Sequence, residues 1–385
     1  MLIRRNLLEL LSKSNKSILL LGPRQTGKST IMGQLRPQLS INLADQSEFL
    51  AFSRNPAEIV ERLQAKPYET VLIDEVQRLP SVLNTLQTIV DRRSPKPPRF
   101  FLTGSSARKL RRGQANLLPG RLLQFELGPC VYSELGDLFD LKKALAYGTL
   151  PGVYLDENEF DRRKVLETYA ATYLKEEIQA EALTRNIEGF SRFLYVAAAK
   201  NGQFVDFSKL ASDAAIERKT ATRFFEILEE TLIVSRLESF AGSEYKRLIK
   251  HPRYFFFDTG VLNALLGSFS LSADRIGSLF ETFVHAQLSN TLKSQGRSFR
   301  LSNYRTSNDA EVDFVLELEG ETYAIEAKAS KNVGAHDLSG LQSFAGYIGK
   351  KHRKMIVYLG EHSKVIGDGV EVLPFREFVG RFINT

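Results

Sequence analysis

One cysteine, Cys130, stands in a chain of 385 residues. A single thiol excludes an internal disulfide framework and a cysteine-based zinc cage. No run of about 18 apolar residues occurs, so nothing in the sequence predicts a bilayer-spanning helix. The opening stretch, Met1 to Leu11, reads as a short amphipathic helix whose apolar run is too short and too interrupted for a secretory signal. The expectation is a soluble, cytoplasmic protein with no membrane partner. Repeats and low-complexity tracts are also lacking. With 43% hydrophobic and 25% charged residues, the composition is that of a globular chain and excludes disorder as its default state. Acidic residues are missing from one stretch in particular: between Arg92 and Arg121 there are nine basic residues and no acidic one. Residues 1–130 carry 20 Lys and Arg against 10 Asp and Glu, while the remainder carries 32 against 35. The N-terminal third therefore holds the basic surplus, and such a field favours polyanions: nucleotide, nucleic acid or anionic lipid.

At roughly 100–200 residues per domain, the length suggests two or three domains. Short apolar runs alternate with helical patterns over the first 130 residues. Ser17-Ile18-Leu19-Leu20-Leu21, Thr70-Val71-Leu72-Ile73-Asp74 and Arg99-Phe100-Phe101-Leu102-Thr103 read as buried strands, with weaker ones at 39–43 and 122–126. This alternation predicts a parallel sheet covered by helices. A mainly helical extension follows to about residue 185. Over 186–258 the rhythm changes to three short helices (190–200, 207–214, 219–230) and two strands, the pattern of a winged helix-turn-helix. From 259 to 385 a long helix near 276–292 precedes strands near 299–303, 311–317, 322–329 and 354–359, with a helix near 338–346. The predicted fold class is α/β: an N-terminal P-loop parallel-sheet domain (1–185), a central winged helix-turn-helix (186–258) and a C-terminal α/β unit (259–385).

The strongest local signal is Gly22-Pro23-Arg24-Gln25-Thr26-Gly27-Lys28-Ser29, which matches GxxxxGK[ST] between a strand and a helical stretch. Glycines let backbone N–H groups turn inward around a phosphate, and the helix adds its positive end. Lys28 is assigned to the β- and γ-phosphates of ATP, Ser29 to Mg²⁺, and 22–30, including Thr30, to the nucleotide cradle. Asp74 and Glu75 close the second strand; Asp74 suits the Mg²⁺ shell and Glu75 suits polarising the attacking water. The third strand ends in Thr103-Gly104-Ser105-Ser106, where ligands collect in such sheets. Ser105 is the first choice for a phosphate or water sensor and Thr103 the second. Arg121 fits either an arginine finger or a solvated basic residue.

In the last third, Asp313 sits 13 residues before Glu326, and Glu326-Ala327-Lys328 completes a D-x(n)-E-x-K pattern. Glu311 shares a strand face with Asp313 by alternation. In a metal-dependent phosphodiesterase the two carboxylates hold Mg²⁺ or Mn²⁺ and the lysine orients water; Glu281, on the preceding helix, could add a carboxylate. Alternating charges on an exposed strand face would look the same. Arg218, Lys219, Thr220 and Arg223 lie where the third helix of a winged helix-turn-helix meets DNA, with Lys246, Arg247 and Lys250 on the wing; a module that only packs domains or binds protein fits as well.

Taken together, Leu20-Leu21-Gly22-Pro23-Arg24-Gln25-Thr26-Gly27-Lys28-Ser29-Thr30, Leu72-Ile73-Asp74-Glu75-Val76-Gln77, Leu102-Thr103-Gly104-Ser105-Ser106, Pro119-Gly120-Arg121, Tyr254 to Gly260, Phe280-Glu281-Thr282-Phe283-Val284 and the Asp313 to Lys328 set resemble a large prokaryotic family of AAA-type ATPases. The resemblance covers nearly the whole chain. It implies an ATPase core, a winged helix and a restriction-endonuclease-like domain at the C-terminus. It also implies homo-oligomers, hexamers among them, in which an arginine of one subunit completes its neighbour's site. The favoured expectation is an ATP-hydrolysing enzyme that binds and remodels duplex or branched DNA. An ATP-regulated metal-dependent nuclease with a second Mg²⁺ or Mn²⁺, and a nucleotide-controlled protein-interaction switch, are the competing readings.

Overall fold

The computed structural model describes residues 2–91, 97–105, 120–173, 187–240 and 251–383. Five strands, β1 (Ser17–Leu21), β2 (Leu39–Asn42), β3 (Thr70–Asp74), β4 (Arg99–Gly104) and β5 (Leu122–Glu126), form one sheet in the order β2-β3-β4-β1-β5. Every pairing in it is parallel. Parallel sheets are covered on both faces, which is why β1 is apolar after Ser17 and buried at all five positions. Leu19, Leu21, Ile73, Phe100 and Leu102 face one apolar layer; Ile18, Leu20, Leu72 and Phe101 face the other. The helices of this part are α1 (Leu7–Lys13), α2 (Lys28–Gln34), α3 (Gln46–Arg54), α4 (Glu58–Ala65) and α5 (Val82–Val90). Because all strands run the same way, the loops after β1, β3 and β4 meet at one sheet edge.

Four helices follow: α6 (Tyr132–Leu135), α7 (Leu141–Tyr147), α8 (Pro151–Leu155) and α9 (Glu159–Thr168). Next come α10 (Ile187–Ala199), α11 (Phe207–Asp213) and α12 (Arg218–Glu230), then the antiparallel pair β6 (Val234–Ser239) and β7 (Arg253–Phe256). Asp206 caps α11 by accepting from the Ser208 and Lys209 N–H groups. In α12, Ala221, Phe224, Phe225, Ile227 and Leu228 are buried while Arg218, Lys219 and Arg223 are exposed. The apolar positions recur at helical spacing, so one face enters the core and the charged first turn faces solvent.

The last segment contains α13 (Thr259–Leu265), α14 (Ile276–Ser294), β8 (Phe299–Arg305), β9 (Glu311–Leu318), β10 (Glu321–Lys328), α15 (Ser339–Ile348), β11 (Arg353–Tyr358), β12 (Lys364–Ile366), β13 (Val370–Pro374) and α16 (Phe375–Ile383). Its sheet has eight strands in the order β12-β13-β11-β10-β9-β8-β6-β7. The end of β6 pairs in parallel with β8, Glu238 opposite Ser302 and Ser239 opposite Asn303. One apolar core joins Phe190, Phe193 and Phe225 to Phe255, Phe283 and Phe314. The sequence reading omits β12, β13 and α16; short, partly charged runs such as Lys364–Ile366 carry too little periodicity to stand out.

Candidate functional site

At the end of β1 the backbone turns sharply. The Gly22 N–H donates to the Gly104 carbonyl at 3.3 Å. A Cβ on Gly22 would lie 2.2 Å from the Leu127 carbonyl oxygen, so only glycine lets the loop pass β5 this closely. Gly27, with φ +90°, begins α2. Thr26 is fully buried and donates to the Pro23 carbonyl at 2.9 Å. Lys28 is buried and donates to the Gly22 and Pro23 carbonyls, each at 2.9 Å. Its ammonium is thus held inside the curl of its own loop, where a phosphate oxygen would compete for it. Ser29 and Thr30 are exposed on the first turn of α2. Across an open cleft lie Asp74, Glu75 and Arg78. These groups fit a magnesium-bound nucleoside triphosphate: a caged cation, hydroxyls at a helix start and a carboxylate pair facing them.

Glu75 adopts a left-handed backbone conformation, φ +58° and ψ +43°. A non-glycine residue is held there only when its surroundings fix it. Those surroundings are Thr103 and Gln77. The Glu75 N–H donates to Thr103 Oγ1 at 3.2 Å, and that hydroxyl donates to the Asp74 carboxylate. Gln77 Nε2 donates to the Glu75 carboxylate and, at 2.9 Å, to Ser105 Oγ. Gln77 Oε1 is buried and has no hydrogen-bond partner among the described residues. The two sensor candidates therefore do different things: Thr103 holds Asp74, and Ser105 reaches Glu75 through Gln77.

Arg121 lies elsewhere. Ser17 pairs with Leu122 at the start of β1, whereas the phosphate loop follows Leu21 at its end. At about 3.3 Å per residue, some 13 Å of sheet separates Arg121 from the loop of its own subunit. It is ion-paired with Asp91. Within the basic stretch 92–121, Arg99 is bonded to the Lys16 and Leu11 carbonyls at 2.8 and 2.7 Å and serves packing. The other seven basic residues there, like Lys246, Arg247 and Lys250, lie outside the described residues. Arg218, Lys219, Thr220 and Arg223 form the first turn and a half of α12, more than 180 residues along the chain from the phosphate loop.

Glu281, Asp313, Glu326 and Lys328 do come together. Lys328 Nζ is 3.0 Å from Glu326, and Asp313 accepts from the Ala327 N–H at 2.8 Å. A second cation beside Lys328, however, is a side chain the sequence reading leaves out of the site. The Arg253 guanidinium is 3% exposed; it contacts Glu281 and lies 3.4 Å from Glu311 and 3.8 Å from Asp313. Burial pushes the Glu281 carboxyl up, the Asp313 charge pushes the same way, and Arg253 pulls it back. Burial also drives Glu326 well above the usual carboxylate range. Among the described residues, no group of three or more His, Cys, Asp or Glu is placed to hold a metal ion.

Two further features escape sequence reading. Arg5, 6% exposed, donates to the Thr26 carbonyl at 2.6 Å and to Gly128 at 2.8 Å, and pairs with Glu134 at 2.9 Å. It fastens the phosphate loop to the chain after β5. Helix α14 docks on the same segment: Gln287 bonds Cys130 and Tyr132 at 3.0 and 2.7 Å, and Lys293 pairs with Glu126 at 2.5 Å. A Cβ on Gly128 would lie 2.3 Å from Asn290 Oδ1, so the helix sits directly against the backbone there. The signal for α14 is the set of polar residues Gln287, Ser289 and Thr291 among Leu288 and Leu292; all three are buried. For Arg253 it is a charge opening the aromatic strand Arg253–Phe256. Cys130 is buried and its thiol is pushed up to about 12 by that burial, so it is no nucleophile.

Residues 14–136 match the AAA domain family. Residues 138–272 and 276–378 match two domains of unknown function, DUF8612 and DUF4143. The first segment is a P-loop ATPase domain, and the chain is accordingly an ATP-hydrolysing enzyme. Uncharacterized protein Rv2008c of Mycobacterium tuberculosis is 28% identical over 366 residues, spanning 93% of this chain and 79% of that protein; the Mycobacterium bovis protein Mb2031c matches equally. Among solved structures, the Aeropyrum pernix ORC1 protein in complex with DNA shares 12% identity, covering 69% of this chain and 92% of that one at a TM-score of 0.33. The replication initiator DnaA bound to AMPPCP and single-stranded DNA shares 14%, covering 58% and 85% at a TM-score of 0.25. Likenesses this distant carry no argument about function. No described helix is long and apolar enough to cross a membrane.

Proposed function

We propose that this chain couples ATP hydrolysis to the binding and remodelling of DNA, as a homo-oligomer. It would be organised as an ATPase domain with a helical extension (1–185), a winged helix (186–258, with α12 as the DNA-facing helix) and a restriction-endonuclease-like unit (259–385). The observation that carries the DNA reading is the exposed basic start of α12, Arg218 and Lys219 in its first turn and Arg223 in its second, on a helix whose other face is core. A helix offering its N-terminal turn with several cations suits phosphate contact and groove entry.

In hydrolysis, Lys28 exchanges its bonds to the Gly22 and Pro23 carbonyls for β- and γ-phosphate oxygens. Ser29 and Asp74 would hold Mg²⁺, which supplies charge neutralisation at the transferring phosphoryl group. Glu75, held by Gln77, orients water and accepts its proton. Arg121, at the far sheet edge, serves the site of a neighbouring subunit. Helix α14 gives a route for the nucleotide state to reach the rest of the chain. Its Asn290 and Lys293 lie against the segment behind the phosphate loop, and its Glu281 lies in the carboxylate cluster. Glu281 and Lys293 are twelve positions apart, about 18 Å along a helix.

The test is steady-state ATP turnover with and without duplex, forked and four-way junction DNA at two salt concentrations. Turnover should rise with at least one DNA, and the effect should weaken steeply with salt. Unchanged turnover with every DNA would remove the DNA reading while leaving the ATPase in place.

A further inference from the structure

We propose that Arg253 is the resident cation of the carboxylate cluster formed by Glu281, Glu311 and Asp313. On this reading its guanidinium stands where a divalent metal would, fastening β7 to α14 and β9, and the C-terminal unit has no metal requirement. The inference is independent of whether the protein engages DNA.

The geometry accounts for each polar group. Arg253 donates to the Gly202 carbonyl and to Glu281, with Glu311 at 3.4 Å and Asp313 at 3.8 Å. Its flat faces are covered as well: the guanidinium carbon lies 5.4 Å from the Phe204 ring centroid and 5.0 Å from that of Phe255. Arginine suits this setting because the guanidinium keeps its charge when buried and offers several donors in one plane. The carboxylates are equally committed. One Asp313 oxygen accepts from the Ala327 N–H, Glu311 is also 3.7 Å from Arg305, and Glu326 belongs to Lys328.

Charge balance agrees. Three cations, Arg253, Arg305 and Lys328, face five carboxylates: Glu281, Glu311, Asp313, Glu326 and Asp309, the last 2.8 Å from Arg305. Burial raises both Glu281 and Glu326, and a proton on each closes the balance without a metal. Magnesium demands near-octahedral oxygen coordination at about 2.0–2.1 Å, and a guanidinium bonded to Glu281 and Glu311 and 3.8 Å from Asp313 opposes it there by charge and by volume. Removing the guanidinium leaves carboxylates facing one another around a vacated cation position, which is the condition for metal affinity.

The experiment is Mn²⁺ binding to nucleotide-free, full-length protein, followed by the electron paramagnetic resonance signal of free Mn²⁺. Wild type and Asp313→Asn should bind the same number of ions up to about 1 mM, the weak end of protein carboxylate sites. Arg253→Met should gain one Mn²⁺ site, and Arg253→Met/Asp313→Asn should lose it again. A wild-type site that disappears in Asp313→Asn overturns the proposal. So does a folded Arg253→Met protein, by circular dichroism, that gains none. Should Arg253→Met fail to fold, wild type against Asp313→Asn decides alone.

Discussion

Gln77 Nε2 lies 2.9 Å from Ser105 Oγ and donates on its other side to the Glu75 carboxylate, so the end of β4 sets the position of the acid at the end of β3. Gln77→Ala should therefore lower kcat for ATP hydrolysis by roughly 10- to 100-fold, the usual scale for misplacing a catalytic group by about 1 Å. KM for ATP should stay within about two-fold, because the hydrogen bonds of Gln77 go to Glu75 and Ser105 and not to the phosphate loop 22–30. A large rise in KM at constant kcat would remove this role.

Glu75 and Lys28 should separate chemistry from binding. Glu75→Gln keeps shape and loses the base, so hydrolysis should fall by at least about 100-fold with nucleotide binding retained. Lys28→Ala should weaken binding itself. Equilibrium binding of a fluorescent ATP analogue distinguishes the two; loss of binding in Glu75→Gln would place Glu75 in the phosphate cradle instead.

If Arg121 completes a neighbour's site, Arg121→Ala and Glu75→Gln proteins, each nearly inactive alone, should recover turnover when mixed. In the mixed interface an intact Glu75 meets an intact Arg121. Purely additive activity over a range of mixing ratios would assign Arg121 to its ion pair with Asp91 alone.

Arg5 should matter to stability out of proportion to its distance from the chemistry. Arg5→Ala leaves Glu134 buried without its cation, with the Thr26 and Gly128 carbonyls short of a donor, a loss on the order of 3–5 kcal/mol. Urea unfolding monitored by circular dichroism measures it. Arg5→Lys should recover little, since a single ammonium cannot span three acceptors.

His285 predicts a pH dependence. Burial is the main cause that holds its imidazole down at about 3, with the Lys293 and Arg253 charges acting the same way. An unfolded histidine titrates near ~6.5. The folded state stays neutral while the unfolded chain takes up a proton, so stability present above pH ~6.5 is lost as pH falls toward 3, at up to about 1.4 kcal/mol per unit. His285→Phe preserves the stack on Phe255, whose ring lies 4.5 Å away. Its unfolding midpoint should fall less between pH 7 and pH 5 than that of wild type; equal slopes would exclude His285 as the source.

Much of this molecule is written in contiguous residues. Ser17 to Thr30 encodes a buried strand, a phosphate loop and the start of a helix, because apolar content, glycines and the Lys-Ser pair act within a few positions of one another. Asp74 and Glu75 are legible for the same reason, as is α12, whose apolar positions keep helical spacing. The pairing of Glu326 with Lys328 follows from strand alternation, which puts every second side chain on one face.

Where those pieces meet is another matter. Gln77 and Ser105 are 28 residues apart, Arg5 and Glu134 are 129, and Arg253 reaches Glu281, Glu311 and Asp313 from a strand at the far edge of an eight-stranded sheet. Each contact depends on strand order and on how α14 lies across two sheets, which no local pattern encodes. Sequence alone thus determined that a phosphate-binding loop and a carboxylate-rich pair of strands exist. Only tertiary structure decided that Glu75 is held by a glutamine and that Glu281, Glu311 and Asp313 gather around the Arg253 guanidinium. Burial turns a charge with no partner into a large cost, so the fold had to bring one.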